Sequence, residues 1–232
     1  MNAPANTPAD LPIPMRMALK VTFDTPVNIG GYGAPTFVDR PFRRDSDGWP
    51  FIPASSLKGR LRHECERLAR ALGDDKVCNG PDPSQMCRGE EQDVCSVCKI
   101  WGSPWVAGRV YPVDLKLERP TELGNAAPPS TVRYNVSISR RRRVAEDARL
   151  FTTELFLPGI PLTFSGVWET YLSLRELVLV EAGLGAITAL GRAKSGGLGW
   201  CVIRSQTEMQ VNGTWRSVTA GERMKGRAAW QK

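Results

Sequence analysis

Cys78, Cys87, Cys95 and Cys98 fall within one 21-residue window. Two thiolates at Cys-x-x-Cys spacing can grip one tetrahedral ion. Four thiolates saturate Zn²⁺ and leave no position open for water, so the chemistry they predict is structural. The segment from Asp74 to Cys98 is polar and has few apolar residues with which to build a core. An ion would replace that missing core. The spacings ahead of Cys87 and Cys95 are wider than in a zinc ribbon, so His63 or Cys65 stands as an alternative to Cys78. Cys65 and Cys201 are expected as packed thiols.

A second group of residues predicts anion binding. Pro53-Ala54-Ser55-Ser56-Leu57-Lys58-Gly59-Arg60-Leu61-Arg62 places two serines at a helix start, followed by three cations. Serines cap open backbone N–H groups, and a helix N-terminus carries partial positive charge. Ser55, Ser56, Lys58, Arg60 and Arg62 together suit a phosphate chain. Gly191-Arg192-Ala193-Lys194-Ser195-Gly196-Gly197-Leu198-Gly199 joins cations to glycines that let the backbone approach a phosphate. It is not a Walker loop, because no Gly-Lys-Ser/Thr closes it. Arg140 to Arg143 form an unbroken basic run. The whole chain has 31 Lys+Arg against 24 Asp+Glu, a net charge of +7 that favours a polyanionic partner.

These groups need elements to position them. Met15, Met17, Leu19, Val21 and Phe23 alternate, which predicts a half-buried strand. Leu57, Leu61, Cys65 and Leu68 form a helical stripe over Ser56 to Ala71, with Gly73 suited to the C-terminal cap. Pro161 to Thr170 predicts a second strand, and Ser173 caps an apolar helix to about Leu190. Leu198 to Ile203 reads as a short buried strand. Met209 to Val218 reads as a hairpin turning at Asn212-Gly213. Strands and helices mix without a strict β-α-β period, so the class is α+β. The expected division is a flexible tail over 1–13, one domain over 14–220 with insertions at 74–99 and 112–156, and a C-terminal tail over 221–232. Met1 to Pro14 lack an apolar signal core, and no apolar run is long enough to span a bilayer. A cytoplasmic protein with no membrane partner is expected. Without a secretion signal, metal binding is favoured over disulfides.

Ile52-Pro53-Ala54-Ser55-Ser56-Leu57-Lys58-Gly59-Arg60-Leu61-Arg62 resembles the signature of the RAMP superfamily, RNA-binding proteins of CRISPR effector complexes. Cys95-Ser96-Val97-Cys98-Lys99-Ile100-Trp101-Gly102-Ser103 resembles that family's Cys-x-x-Cys block. Arg133 to Gly159 is similar to its central hairpin, through Ile138, Arg140, Ala145, Leu150, Phe151, Glu154, Pro158 and Gly159. Gly191 to Gly199 is similar to its glycine-rich loop. The blocks keep the family's order over roughly residues 15 to 204. The resemblance is greatest to the backbone subunit of type III complexes.

That resemblance implies a ferredoxin-like (RRM-like) core sheet with helices, a zinc-bound loop insertion and a protruding hairpin, the thumb, within Pro112 to Phe156. It keeps His63 open as a zinc ligand and makes Arg140 a contact to RNA backbone. It implies an apolar wedge on the thumb. It also implies that Asp39, in Val38-Asp39-Arg40-Pro41-Phe42-Arg43-Arg44-Asp45, is the catalytic acid of a Mg²⁺- or Mn²⁺-dependent target-RNA cleavage. The implied partners are crRNA, complementary target RNA, further copies of the chain and other effector subunits. The sequence departs from the pattern at Ala54, where glycine is usual, and in its lead-in, Gly30-Gly31-Tyr32-Gly33 with Pro35-Thr36-Phe37. Two readings compete. One is a non-catalytic crRNA scaffold, as in type IV complexes, and the other is a zinc-containing RNA-binding protein outside any effector. A His-centred guide-processing site is disfavoured by the single histidine, His63.

Overall fold

The computed structural model describes residues 10–30, 38–89, 93–119, 129–156 and 162–230. The expected Gly31-Tyr32-Gly33 turn, Pro35-Thr36-Phe37, Pro158 and Gly159 lie outside the described residues, as do residues 1–9.

Strand β1 spans Ile13–Phe23 and buries Met15, Met17, Leu19, Val21 and Phe23. Its alternate positions Arg16, Ala18 and Lys20 are exposed, as a period of two requires. β2 (Phe51–Ile52) leads into helix α1 (Ala54–Ala71). A short helix α2 (Ser96–Trp101) follows, then strands β3 (Val110–Tyr111) and β4 (Leu115–Leu117). β5 (Ser130–Ile138) and β6 (Ala145–Phe156) form a two-stranded ribbon. β7 (Leu162–Leu172), helix α3 (Leu174–Ala186), β8 (Cys201–Val211), β9 (Thr214–Ser217) and helix α4 (Ala220–Ala228) complete the chain.

The main sheet runs β2-β4-β7-β1-β8-β9, with β3 also paired to β7. All its pairings are antiparallel. Chain order β1-α1-β4-β7-α3-β8 with spatial order β4-β7-β1-β8 is the ferredoxin-like (RRM-like) arrangement. The fold is therefore α+β, as the mixed pattern predicts. Helices α1 and α3 meet where α3 has no side chain: a Cβ on Gly183 would sit 2.9 Å from Leu61 Cδ1 and 3.0 Å from Cys65 Sγ. The thiols of Cys65 and Cys201 are buried, and burial pushes both up to about 12.

Four expectations are corrected. Leu198–Ile203 and Met209–Val218 are not separate units, because β8 runs unbroken from Cys201 to Val211 before turning at Asn212-Gly213. The region from Pro112 is not all thumb, because β4 is a core strand that buries Leu115 and Leu117. Residues 221–232 are not a mobile tail as far as Trp230. Thr219 forms a capping box with Glu222, α4 packs on α3, and the Trp230 indole N–H donates to the Arg175 carbonyl at 2.9 Å. Helix α3 ends at Ala186 rather than near Leu190.

Candidate metal centre and nucleic-acid interface

The four clustered cysteines converge, with all four sulfurs within 4.8 Å of one another. Cys78 Sγ lies 3.3 Å from Cys98 Sγ and 3.8 Å from Cys95 Sγ. A tetrahedral ion with thiolate bonds of ~2.3 Å requires sulfur–sulfur separations of about 3.8 Å. The spacing therefore fits a four-thiolate ion such as zinc. His63 is exposed on α1 and takes no part in the cluster, and the Cys65 thiol donates instead to the Leu179 carbonyl at 3.7 Å. Cys78 is thus the fourth sulfur, and the alternatives His63 and Cys65 fall away. The bond from Cys98 holds the Cys95 thiol down at about 4 and pushes the Cys98 thiol well up. The Cys98 backbone N–H also donates to Cys95 Sγ at 3.4 Å.

Arg62 belongs to this centre and not to an exposed basic face. Its guanidinium donates to Cys98 Sγ at 3.3 Å, to the Gly102 carbonyl, and to Glu66 Oε1 at 2.9 Å. The expectation that Arg62 reaches RNA is corrected: a cation beside a thiolate cluster offsets its negative charge. Trp101 is buried beneath the loop, but Trp105 is 47% exposed, with the Arg88 guanidinium over its ring at 4.0 Å.

The predicted serine caps are also corrected. Pro53 is the N-cap of α1 and makes no side-chain bond, and Ser55 and Ser56 sit inside the first turn. The Ala54 N–H is taken by Asp114 Oδ1 at 2.7 Å, a partner 60 residues away. An internal carboxylate, rather than a ligand phosphate, meets this backbone donor.

The anion-binding groups meet one turn further along. A cavity of about 340 Å³ is lined by Ser56 and Arg60 of α1, Gly191, Arg192 and Lys194 of the glycine-rich loop, and Gly30. Arg60 bonds Glu64 at 2.9 Å, and its buried Nε has no hydrogen-bond partner among the described residues. Gly30 is needed for close approach, because a Cβ there would lie 2.5 Å from Arg192 Nε. Gly191, at φ +93°, would bring a Cβ within 2.4 Å of the Asn28 carbonyl oxygen. Gly196 and Gly197 are exposed in the same loop, and Ser55 is exposed outside the cavity wall. Lys58 is half-buried and does not line the cavity. Arg140 lies in the β5–β6 turn and is exposed. A larger groove of about 1010 Å³ runs between Asp74, Lys99 and Glu176. Its mixed charge suits a polyanion less well than the smaller, basic cavity.

Asp39 is exposed and lies against the base of β6. Its Oδ2 accepts the Thr152 N–H at 2.7 Å and the Thr152 hydroxyl at 2.9 Å. The Asp39 N–H donates to Thr152 Oγ1 at 2.9 Å. The Thr152 bonds hold the Asp39 carboxyl below its ordinary value of 3.8. Among the described residues its Oδ1 makes no hydrogen bond. Arg40 stacks on Phe151 at 3.8 Å, and Asp45 caps its own turn through the Asp47 and Trp49 N–H groups. Thr152 and Asn28 are partners of the Asp39 segment that sequence reasoning missed, and Glu154 is named there only within the resemblance of the central hairpin. No local pattern marks them, because their partners lie more than a hundred residues away, or, for Asn28, in three different segments.

The ribbon presents one apolar row, with Val132, Tyr134, Val136 and Ile138 between 40% and 72% exposed. Among the described residues, no helix is long and apolar enough to cross a membrane. Among curated proteins none matches the chain. A family model described as RAMPs, the RAMP superfamily, matches residues 20–202.

Proposed function

The chain belongs to the RAMP superfamily, and on that premise we propose that it is a crRNA-binding backbone subunit of a type III CRISPR effector that cleaves complementary target RNA. Membership itself implies a CRISPR-associated, RNA-binding subunit whose partners are RNA and effector proteins. The observation that carries the cleaving reading is the Asp39 carboxylate. It is exposed at the surface, and two donors of Thr152 hold it ionised. Gly30 bridges to Phe42, so the cavity wall and the Asp39 segment share one loop system.

The division of labour follows from the residues. Arg60, Arg192 and Lys194 neutralise guide phosphates in the cavity. The apolar row of β5 supplies the wedge that parts a base step, and Arg140 at the ribbon tip follows the RNA backbone. Zinc on Cys78, Cys87, Cys95 and Cys98 orders the insertion. Asp39 would hold a Mg²⁺ or Mn²⁺ ion with further oxygens from the RNA, and the ion would supply charge neutralisation at the scissile phosphate. The 2′-hydroxyl oxygen then bonds to phosphorus and the P–O5′ bond breaks. The products are a 2′,3′-cyclic phosphate and a 5′-hydroxyl: the 2′-OH proton passes to solvent, and solvent returns a proton to the departing 5′-oxygen. Sequence choice comes from guide pairing, not from side chains.

The test is cleavage of a labelled complementary RNA by the guide-loaded protein in Mg²⁺ or Mn²⁺. Regularly spaced cuts are expected. Tight binding without cuts would make the chain a non-catalytic scaffold. A second expectation separates the cations. Arg60→Ala and Arg192→Ala should each reduce the slope of log affinity against log salt by roughly 0.7, the value for one lost single-strand phosphate contact. Arg62→Ala should leave that slope unchanged and lower the melting temperature. Equal slopes for Arg192→Ala and the wild type would remove the cavity from the RNA path.

A further inference from the structure

Asn28 is fully buried in the loop after β1. Burying an amide is costly unless its donors are satisfied. Both of its N–H donors are used across the chain: Nδ2 donates to the Arg40 carbonyl at 3.1 Å and to the Glu154 carbonyl at 2.7 Å. Its own main-chain carbonyl accepts the Arg192 N–H at 2.9 Å. Its Oδ1 is buried with no hydrogen-bond partner among the described residues. The side chain thus acts through its donors. One side chain ties the Asp39 segment to β6, while its backbone holds the start of the glycine-rich loop.

Glu154 completes the tie from the other side. Its carboxylate accepts the Phe42 N–H at 2.9 Å and pairs with the Arg44 guanidinium. Burial opposes its ionisation, but these two donors outweigh burial and keep the carboxyl below its ordinary value. The main chains run together here as well. Arg40 N–H donates to the Thr152 carbonyl at 3.1 Å, and Glu154 N–H to the Arg40 carbonyl at 3.0 Å. The nearest buried apolar anchor after Asp39 is Phe42, edge-on to Phe156 at 4.6 Å. Polar bonds must therefore set the register of Asp39 itself.

We propose that Asn28 and Glu154 are positioning residues that hold the Asp39 carboxylate in register beside β6 and couple it to the anion-binding loop. This rests on Asp39 being the cleaving carboxylate. Neither side chain needs to touch RNA. Their effect is on rate, because small misplacements of a catalytic group are costly even when binding persists.

The test uses the guide-loaded full chain with Asn28→Asp, which keeps the shape but replaces the donor with an acceptor facing two carbonyls. Glu154→Gln keeps an acceptor and loses the charge facing Arg44, and serves if Asn28→Asp fails to fold. Single-turnover cleavage at saturating target is expected to slow by about tenfold to a hundredfold. Target affinity should stay within about twofold, and amide exchange at Arg40 and Phe42 should accelerate while β1 and α1 stay protected. Rate, affinity and melting temperature falling together would overturn positioning in favour of a general folding role. A wild type that cuts while both variants cut equally fast would overturn the brace alone. A wild type that does not cut would overturn the cleavage reading and the rate effect with it. Exchange at Arg40 would then decide whether the brace orders the loop at all.

Discussion

Asp39→Ala is expected to lower target-RNA cleavage by at least ~100-fold while leaving guide and target affinity within about twofold. The carboxylate is exposed and, among the described residues, bonds only Thr152, so its removal opens no cavity in the core. Asp39→Asn separates its two tasks. An amide oxygen still accepts from Thr152 but carries no charge. Loss of cleavage in Asn and Ala variants alike would assign the effect to charge rather than to loop order. Cleavage by Asp39→Asn near the wild-type rate would remove Asp39 from the chemistry.

The pH dependence has a definite sign. The Thr152 bonds lower the folded-state value of Asp39 below 3.8. The stabilisation they bring is therefore present above the unfolded value. It is lost only as pH falls through the depressed one. The cleavage rate should thus show no inflection from Asp39 between pH 5 and 8, and any acid limb in that range belongs to deprotonation of the attacking hydroxyl. A single ionisation near pH 6 that disappears in Asp39→Asn would contradict this.

The second large effect is loss of the metal centre. Cys95→Ser with Cys98→Ser is expected to abolish metal retention and to lower the melting temperature by roughly 10 °C or more. That corresponds to a loss of about 3–5 kcal/mol for a chain of this size. Both residues are buried, and among the described residues of the loop that carries Cys78 and Cys87 the buried apolar side chains besides cysteine are Val77 and Val94. The damage should also travel. Arg62 would lose the Cys98 sulfur, its tie to the Gly102 carbonyl would loosen, and Glu66 would be left with a less anchored partner. Those residues lie on α1, whose first turns place Ser56 and Arg60 in the basic cavity. RNA affinity should therefore fall with metal loss although no cysteine lines that cavity. Stoichiometric metal in the double variant, measured by elemental analysis, would remove these cysteines as ligands. An unshifted melting temperature after chelation would remove the structural role.

Sequence alone determined the features that depend on near neighbours. The alternation from Met15 to Phe23 has to bury one face of a strand, and the stripe Leu57, Leu61, Cys65 has to bury one face of a helix. The Ser173 cap, the Asn212-Gly213 turn and the Cys95-x-x-Cys98 pair are likewise set by side chains within a few residues. Tertiary structure decided which polar groups found partners. Periodicity puts Arg60 and Arg62 off the apolar stripe alike, yet one lines a basic cavity and the other bonds the Cys98 sulfur. Nothing local shows that Asp114 would take the Ala54 N–H, that Thr152 would hold Asp39, or that Asn28 would join three segments. The physical reason is range. Hydrophobic burial follows a pattern that repeats along the chain, whereas a hydrogen bond needs donor and acceptor within about 3 Å, and residues a hundred positions apart reach that distance only when the whole fold has closed.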